Sequence, residues 1–270
     1  MTFHGIPGHE FVGEVAETAR RDLAGKRVVG EINAACRECE WCARGLGRHC
    51  SRRTVLGILG RDGAFAEYLC LPDENLFEVP ASVPDEASVF TEPLAAAYEI
   101  FDQVSLRNDQ KILVLGDGRL GAIVAMALAA EGLNPVIAGR HRDKLARLEA
   151  LGLTSRMESD LAPGLDVVVD CTGSAAGFRR ALELVRPRGT IILKSTAAGS
   201  ENLNLAPIVV NEVTVIGSRC GRFAPANAAL TSGKIDPRRL ISAVFPIEDG
   251  LAAFARAAES SVFKVLLRVS

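Results

Sequence analysis

Four cysteines lie close together near the start of the chain with the spacing C-x2-C-x2-C-x7-C: Cys36, Cys39, Cys42 and Cys50. Four thiolates at this spacing can surround a zinc ion completely, which predicts a structural site with no open position for a substrate. C-x2-C-x2-C also opens a ferredoxin motif, but there the fourth cysteine follows after three residues and precedes proline. Here seven residues intervene and Ser51 follows. The spacing therefore favours zinc over an iron–sulfur cluster.

Two other interpretations of the cysteines are weaker. Unrelated buried thiols seldom lie among charged residues such as Arg37, Glu38 and Arg44. A zinc module that binds nucleic acid needs a basic surface and a neighbouring helix with base-reading residues. The chain carries 31 Lys and Arg against 33 Asp and Glu, a net charge of -2. We therefore expect no nucleic-acid partner and no attraction to an anionic membrane.

A glycine-rich motif forms the second chemical signal. An apolar strand, ILVL, leads into the segment GDGRLG and then into an Ala-rich helix. In this G-x-G-x-x-G pattern Gly116 allows a tight turn, Gly118 lets the backbone approach a pyrophosphate, and Gly121 lets the helix pack on the strand. Arg119 and Leu120 begin the helix, whose N-terminus would hold the phosphates. The pattern predicts a dinucleotide site.

The residues that select the ribose of the dinucleotide lie about 20 residues beyond this motif, where NAD-using proteins carry Asp or Glu. Residues 136–142 read VIAGRHR and contain no carboxylate. Gly139 stands at the end of the strand, and Arg140 and Arg142 could bind a 2′-phosphate through charge-assisted hydrogen bonds. NADP is therefore preferred over NAD. In the alternative interpretation both arginines are solvated residues at a helix start.

The hydrophobic pattern predicts the elements that position these motifs. Short strands between turn residues are expected at 11–16, 26–31, 64–71 and 76–79. Further strands are expected at 111–115, 135–138, 167–170, 189–194 and 213–216, with helices at 119–131, 143–151 and 176–185. The last expected elements are strands at 241–245 and 263–269 around a helix at 250–258. The βαβα order indicates an α/β protein with a doubly wound parallel sheet and a second, β-rich domain.

Two short motifs complete the set, Gly8-His9-Glu10 and Glu92-Pro93-Leu94. With the cysteines and the glycine-rich motif in this order, the sequence resembles the zinc-dependent, alcohol dehydrogenase-like medium-chain dehydrogenase/reductases, especially their polyol and threonine dehydrogenase branch. The resemblance covers essentially the whole chain. It implies a GroES-like catalytic domain at 1–92 with a zinc lobe at 36–50, a Rossmann domain at 93–235, and a return to the catalytic domain at 236–270. It also implies a structural zinc on the four cysteines and a catalytic zinc on His9, Glu10 and Glu92.

The sequence departs from the family at one position. The family's first catalytic zinc ligand is a cysteine upstream of Gly-His-Glu, followed by Ser or Thr, and this sequence starts eight residues before His9. Cys70, Cys171 and Cys220 do not match that motif. We therefore expect the GroES-like domain to be incomplete and codons upstream of Met1 to encode the missing strands and cysteine. Glu10 is then either a third ligand or a residue that orients the ligands.

The resemblance implies hydride transfer between a secondary alcohol or polyol and NADP, with zinc as the Lewis acid on the substrate oxygen. It places Thr172 and Arg219 near the nicotinamide half of the cofactor, and Lys194 is a further candidate. It also implies a homodimer or homotetramer. The remaining histidines are expected to be solvated: His4, His49 and His141.

Two alternative functions stay open. A zinc-free quinone or enone reductase of the same fold would need neither His9 nor the cysteines. A catalytically weakened or inactive NADP-binding homologue is favoured by the missing zinc ligand. The longest uncharged apolar run near the middle of the chain has 11 residues, about half of the roughly 20 that span a bilayer. Because the first residues also lack a signal peptide pattern, we expect a cytoplasmic protein.

Overall fold

The computed structural model describes residues 3–196 and 203–269. The chain forms two compact units, one of Met1–Ala95 with Arg222–Ser270 and the other of Ala96–Gly221. The first unit contains the four cysteines and the Gly-His-Glu motif, and the second contains the glycine-rich motif. Within the described ranges no helix is both long and apolar enough to cross a membrane.

The first unit starts as a β-rich segment, as the sequence pattern predicts. Its elements are β1 (Gly13–Glu14), β2 (Arg27–Gly30), β3 (Asn33–Ala34), α1 (Glu40–Ala43), β4 (Thr54–Val55), β5 (Leu76–Glu78) and α2 (Asp85–Ser88). Strands β1, β2 and β5 form an antiparallel sheet in that order, and β3 pairs with β4. Val15, Leu23 and Val28 form a small apolar core against this sheet, with Leu76 packed on it.

The segment 64–71 is not a strand, so that prediction is wrong. The amides of Ala64 and Phe65 donate to the carbonyls of Gly8 and Pro7 at 2.9 and 3.1 Å. A Cβ on Gly63 would lie 2.2 Å from the Gly8 carbonyl oxygen, so the two segments touch backbone to backbone. This contact takes the place of a strand ladder, and it holds the Gly-His-Glu motif.

The second unit is a doubly wound sheet, which confirms the predicted fold class. After α3 (Thr91–Gln103) come β6 (Ile112–Leu115), α4 (Arg119–Ala130), β7 (Val136–Gly139), α5 (Arg142–Glu149), β8 (Thr154–Met157), β9 (Leu165–Asp170), α6 (Ala175–Leu184), β10 (Val185–Leu193), α7 (Ala206–Val210) and β11 (Thr214–Gly217). The six strands are parallel in the order β11-β10-β9-β6-β7-β8. The strand order reverses beside β6, and in such sheets ligands bind at the carboxyl ends of the strands at this point.

The centre of the sheet explains its apolar sequence. All four residues of β6 are buried, and Val114 pairs with Ile137 of β7 on one side and Val169 of β9 on the other. A parallel strand with helices over both faces meets no water, so it carries no alternating polar residues. Strand β8 lies at the sheet edge, and of its residues, TSRM, only Ser155 is buried. The hydrophobic pattern does not predict β8 for this reason.

The C-terminal segment returns to the first unit. It comprises α8 (Phe223–Thr231), β12 (Ile241–Pro246), α9 (Gly250–Ala257) and β13 (Lys264–Arg268), with β12 and β13 paired in parallel. The return begins at Arg222, whereas the sequence places it at 236. Helix α8 belongs to the first unit because the Phe223 ring packs on Phe77, with ring centroids 5.5 Å apart.

We predict that Gly121→Ala lowers the free energy of unfolding by about 2 kcal/mol or more, because inserting atoms into a packed contact strains the backbone. A Cβ on Gly121 would lie 1.9 Å from the Gly116 carbonyl oxygen. The control is Gly118→Ala, where a Cβ meets nothing within 4 Å, and we expect a loss below about 1 kcal/mol. Denaturant titration of both variants measures the difference. A loss below about 1 kcal/mol for Gly121→Ala as well would show that α4 can move away from β6 at little cost.

Candidate functional site

The thiols of the four-cysteine cluster, Cys36, Cys39, Cys42 and Cys50, converge on one point. Their Sγ atoms lie 3.4 Å (Cys36 to Cys50), 3.5 Å (Cys39 to Cys42), 3.7 Å (Cys39 to Cys50) and 4.0 Å (Cys36 to Cys42) apart. The short helix α1 follows Cys39 and contains Cys42, and Cys50 is fully buried. All four thiols are free of disulfide bonds.

These Sγ–Sγ distances fit a single ion with tetrahedral coordination. Ligands 2.3 Å from a central zinc stand about 3.8 Å from one another in a tetrahedron. In a [4Fe–4S] cluster each cysteine binds a different iron, and in a [2Fe–2S] cluster two cysteines bind each iron, so in neither do four thiols surround one ion. Hydrogen bonds, first of all to the Glu38 backbone, lower the pKa of Cys36 to about 6. Burial raises the pKa of Cys42 to about 11, so metal binding there would release a proton.

A second group of possible metal ligands lies in the same unit. His9, Glu10 and Glu92, which we call the His-Glu-Glu trio, each offer a ligand atom, and these atoms lie within 4.8 Å of one another. His9 and Glu10 follow Gly8, and Glu92 lies in the first turn of α3. All three side chains are partly buried. Two carboxylates and an imidazole are ligands that zinc accepts, with a fourth position left for a substrate.

Lys264 of β13 joins the trio as a cationic neighbour. Its ammonium forms an ion pair with the buried Oε2 of Glu10 and lies 5.3 Å from the centroid of the Phe90 ring. Burial lowers the pKa of Lys264 to about 8. The ammonium thus supplies the positive charge that a metal ion would bring. The sequence pattern did not single out Lys264, because a lysine in a terminal strand gives no chemical signal by itself.

The glycine-rich motif adopts the geometry that a dinucleotide needs. Gly116 has a φ of 120° and packs against the Cys171 backbone at the end of β9. Gly118 precedes α4 in an extended conformation, and the space where its side chain would stand is open. Arg119 and Leu120 form the first turn of α4, with Arg119 exposed. The N-terminus of α4 is therefore accessible to a phosphate group.

The predicted ribose residues lie at the end of β7. Arg140 is not a lone cation, because its Nε and Nη2 donate to the Glu158 carboxylate at 2.7 and 3.2 Å. Arg142 is the exposed first residue of α5. The prediction of a solvated His141 is wrong in part: its ring is half-exposed, but Nδ1 lies 3.0 Å from both carboxylate oxygens of Asp117.

The residues expected near the nicotinamide follow other strands of the same sheet. Thr172, just after β9, donates from its hydroxyl to Asp170 at 2.7 Å, and burial raises the pKa of this aspartate. Lys194, just after β10, is buried and donates to the Ala96 carbonyl and to the Ser218 hydroxyl. Arg219 follows β11 and is exposed. Parallel strands place these side chains along one edge of the sheet.

Two family models match parts of this chain. The family model described as "Alcohol dehydrogenase GroES-like domain" matches residues 1–81, and "Zinc-binding dehydrogenase" matches residues 120–232. A sorbitol dehydrogenase of Halalkalibacterium halodurans is 28% identical over 282 residues, which cover 96% of this chain and 82% of that protein.

Two solved structures share the fold. A zinc-binding dehydrogenase of Sinorhizobium meliloti 1021, bound to NADP, has a TM-score of 0.88 and 26% identity, covering 98% of this chain and 84% of that one. An alcohol dehydrogenase of Escherichia coli CFT073, in complex with NADH, has a TM-score of 0.89 and 23% identity, covering 99% and 85%. The chain belongs to the zinc-type, alcohol dehydrogenase-like medium-chain dehydrogenase/reductases and is an oxidoreductase of the polyol and alcohol dehydrogenase type.

Proposed function

We propose that this chain transfers a hydride between a secondary alcohol or polyol and a nicotinamide dinucleotide, with zinc as the Lewis acid. The observation that carries the proposal is the convergence of the His-Glu-Glu trio, whose ligand atoms lie within 4.8 Å of one another. Such a group has no purpose in a zinc-free quinone or enone reductase. The identity to a sorbitol dehydrogenase supports a polyol or a similar small molecule as substrate.

The four-cysteine cluster would hold a structural zinc. Its sulfur separations of 3.4 to 4.0 Å suit a single ion, and four thiolates leave no position for a substrate. The role of this zinc is to hold the loop between β3 and β4, which has little apolar core of its own: of the cluster and α1, only Cys50 is buried. Metal binding would replace the missing hydrophobic contacts.

The His-Glu-Glu trio would hold the catalytic zinc, which when bound withdraws electron density from the substrate oxygen. His9 and Glu92 supply two ligands. Glu10 supplies a third or orients the other two, and the ion pair with Lys264 fixes its carboxylate. The partial burial of all three side chains keeps bulk water from competing for the site.

The second unit would bind the dinucleotide through the glycine-rich motif. The backbone at Gly118 and the N-terminus of α4 face the pyrophosphate, and Thr172, Lys194 and Arg219 serve the nicotinamide half. The sequence favours NADP because of Arg140 and Arg142, and NADP stays the prediction from the sequence. Two carboxylates contact Arg140: its guanidinium donates to Glu158, and its backbone amide donates to Asp117. Negative charges at this position disfavour a 2′-phosphate.

The location and the oligomeric state are proposed from the four-cysteine cluster and the family resemblance. We propose a reducing cytoplasmic location, because a four-thiolate zinc site needs reduced cysteines. We also propose a homodimer or homotetramer, as the family resemblance implies. Small molecules are the expected substrates, and neither a nucleic acid nor a membrane is an expected partner.

We predict that the four-cysteine cluster retains one zinc ion that Cys39→Ser and Cys42→Ser each remove, because three thiolates do not complete the tetrahedron. The control is Cys70→Ser, which changes an exposed thiol outside the cluster and should leave the zinc content unchanged. Elemental analysis of the purified proteins measures the stoichiometry. Iron together with acid-labile sulfide in the unmodified protein would refute the assignment.

We predict that Lys264→Met destabilises the metal-free protein by about 3 kcal/mol, because the Glu10 carboxylate loses its cation. This loss corresponds to a Tm lower by about 6 to 12 °C. Added zinc should restore most of the stability, because the metal supplies the missing charge. Lys264→Arg keeps the charge and should stay close to the unmodified protein. If zinc stabilises Lys264→Met no more than the unmodified protein, Glu10 does not contact the metal.

We predict that the unmodified protein reduces a dinucleotide with at least one member of a panel of secondary alcohols and polyols. His9→Ala should lower kcat/KM by at least about 100-fold, because the Lewis acid contributes several kcal/mol to the transition state. His4→Ala changes an exposed histidine and should have no effect. Absorbance of the reduced nicotinamide follows the reaction. Dinucleotide binding without turnover across the panel would indicate a non-catalytic homologue.

A further inference from the structure

Asp117 stands between the first two glycines of the glycine-rich motif, and its carboxylate is fixed at the end of β7. The residue is only 7% exposed. Oδ2 accepts hydrogen bonds from the amides of Arg140 and His141, both at 2.8 Å. The imidazole Nδ1 of His141 lies 3.0 Å from each carboxylate oxygen. Four contacts from one turn therefore hold this negative charge in one place.

The same carboxylate occupies the space of a side chain on Gly139. A Cβ built on Gly139 would lie 2.2 Å from both Cγ and Oδ2 of Asp117. Doubly wound proteins that use NAD carry their ribose-binding Asp or Glu at this end of the second strand. Here the strand carries glycine, and the carboxylate beside it comes from the loop. Gly139 and Asp117 together thus reproduce what one acidic residue on the strand supplies elsewhere.

The neighbouring arginine does not cancel this charge. The Arg140 guanidinium is bound by two hydrogen bonds to Glu158, whose side chain is only 17% exposed against 66% for Arg140. A pocket of about 280 Å³ opens at this point, lined by Gly139, Arg140, Met157, Glu158, Ser159 and Arg180. A ligand that reaches Gly139 from this pocket therefore meets a guanidinium already paired with a carboxylate.

We propose that Asp117 is the residue that selects the ribose and that the chain prefers NAD over NADP. The inference rests on the proposed dinucleotide function and names the cofactor form. A 2′-hydroxyl can donate a hydrogen bond to a carboxylate, whereas a 2′-phosphate meets a like charge that is poorly screened because Asp117 is buried. The preference for NADP predicted from the sequence rested on the absence of a carboxylate from residues 136–142, and Asp117 supplies one from outside that stretch.

The experiment is a titration of the full chain with NADH and with NADPH, for the unmodified protein and for Asp117→Asn. Asparagine keeps an oxygen that accepts the two amide hydrogen bonds but removes the charge. We expect the unmodified protein to bind NADH at least about tenfold more tightly than NADPH. Asp117→Asn should reduce this ratio by about tenfold, mainly through tighter NADPH binding.

The matched control is Asp143→Asn, which makes the same change on an exposed residue in the first turn of α5 and should leave the ratio within about twofold. Equal weakening of NADH and NADPH by Asp117→Asn would overturn the proposal and make Asp117 a purely structural clamp. Tighter binding of NADPH by the unmodified protein would also overturn it and would assign the choice to Arg140 and Arg142. If neither dinucleotide binds the unmodified protein, the proposed function fails, and this inference fails with it.

Discussion

A carboxylate that is largely buried needs a cation beside it. In the first unit Lys264 supplies that cation to Glu10. The backbone contact between Gly8 and Gly63 holds the Gly-His-Glu segment against the loop at 57–65. Strand β13, from the other end of the chain, then brings Lys264 to Glu10. Without that strand the carboxylate would be buried and unpaired, which costs several kcal/mol. The C-terminal return is therefore part of the candidate metal centre as well as part of the fold.

The second unit follows from a different constraint, the burial of a parallel sheet on both faces. Its central strands have no room for polar side chains, so the functional groups lie where each strand ends. At this edge space is limited, so a glycine in one segment leaves room for a group from another segment. Gly121 is required because the Gly116 carbonyl is close, and Gly139 is required because the Asp117 carboxylate fills its side-chain space. The glycines of this unit therefore mark contacts between segments as well as turns.

Much of this organisation could be predicted from the sequence, because the signals are local. Apolar runs predicted β6, β7, β9 and β10, and the spacing of the cysteines and the Gly-His-Glu motif singled out residues that the fold brings into two groups. Strand β8 was missed because an edge strand keeps polar residues, and 64–71 was mistaken for a strand because its hydrogen bonds go to a distant loop.

The residues that escaped prediction act through long-range contacts. Lys264 meets Glu10 across most of the chain, and Asp117 lies 22 positions before Gly139, whose side-chain space it fills. Lys264 belongs to no recognisable motif, and Asp117 stands at a variable position of the glycine-rich motif, so each matters only through its neighbour in space. The ion pair of Arg140 with Glu158 is of the same kind, since Glu158 lies on the turn after the unpredicted strand β8.

We propose that the first unit binds two zinc ions, a structural one and a catalytic one. Anomalous diffraction at the zinc absorption edge, from crystals of the zinc-loaded protein, locates both ions. We expect two peaks per chain, one inside the tetrahedron of Cys36, Cys39, Cys42 and Cys50 and one between His9 and Glu92. A peak in the cysteine cluster with none at His9, in crystals grown with zinc in excess, would show that the His-Glu-Glu trio does not bind zinc.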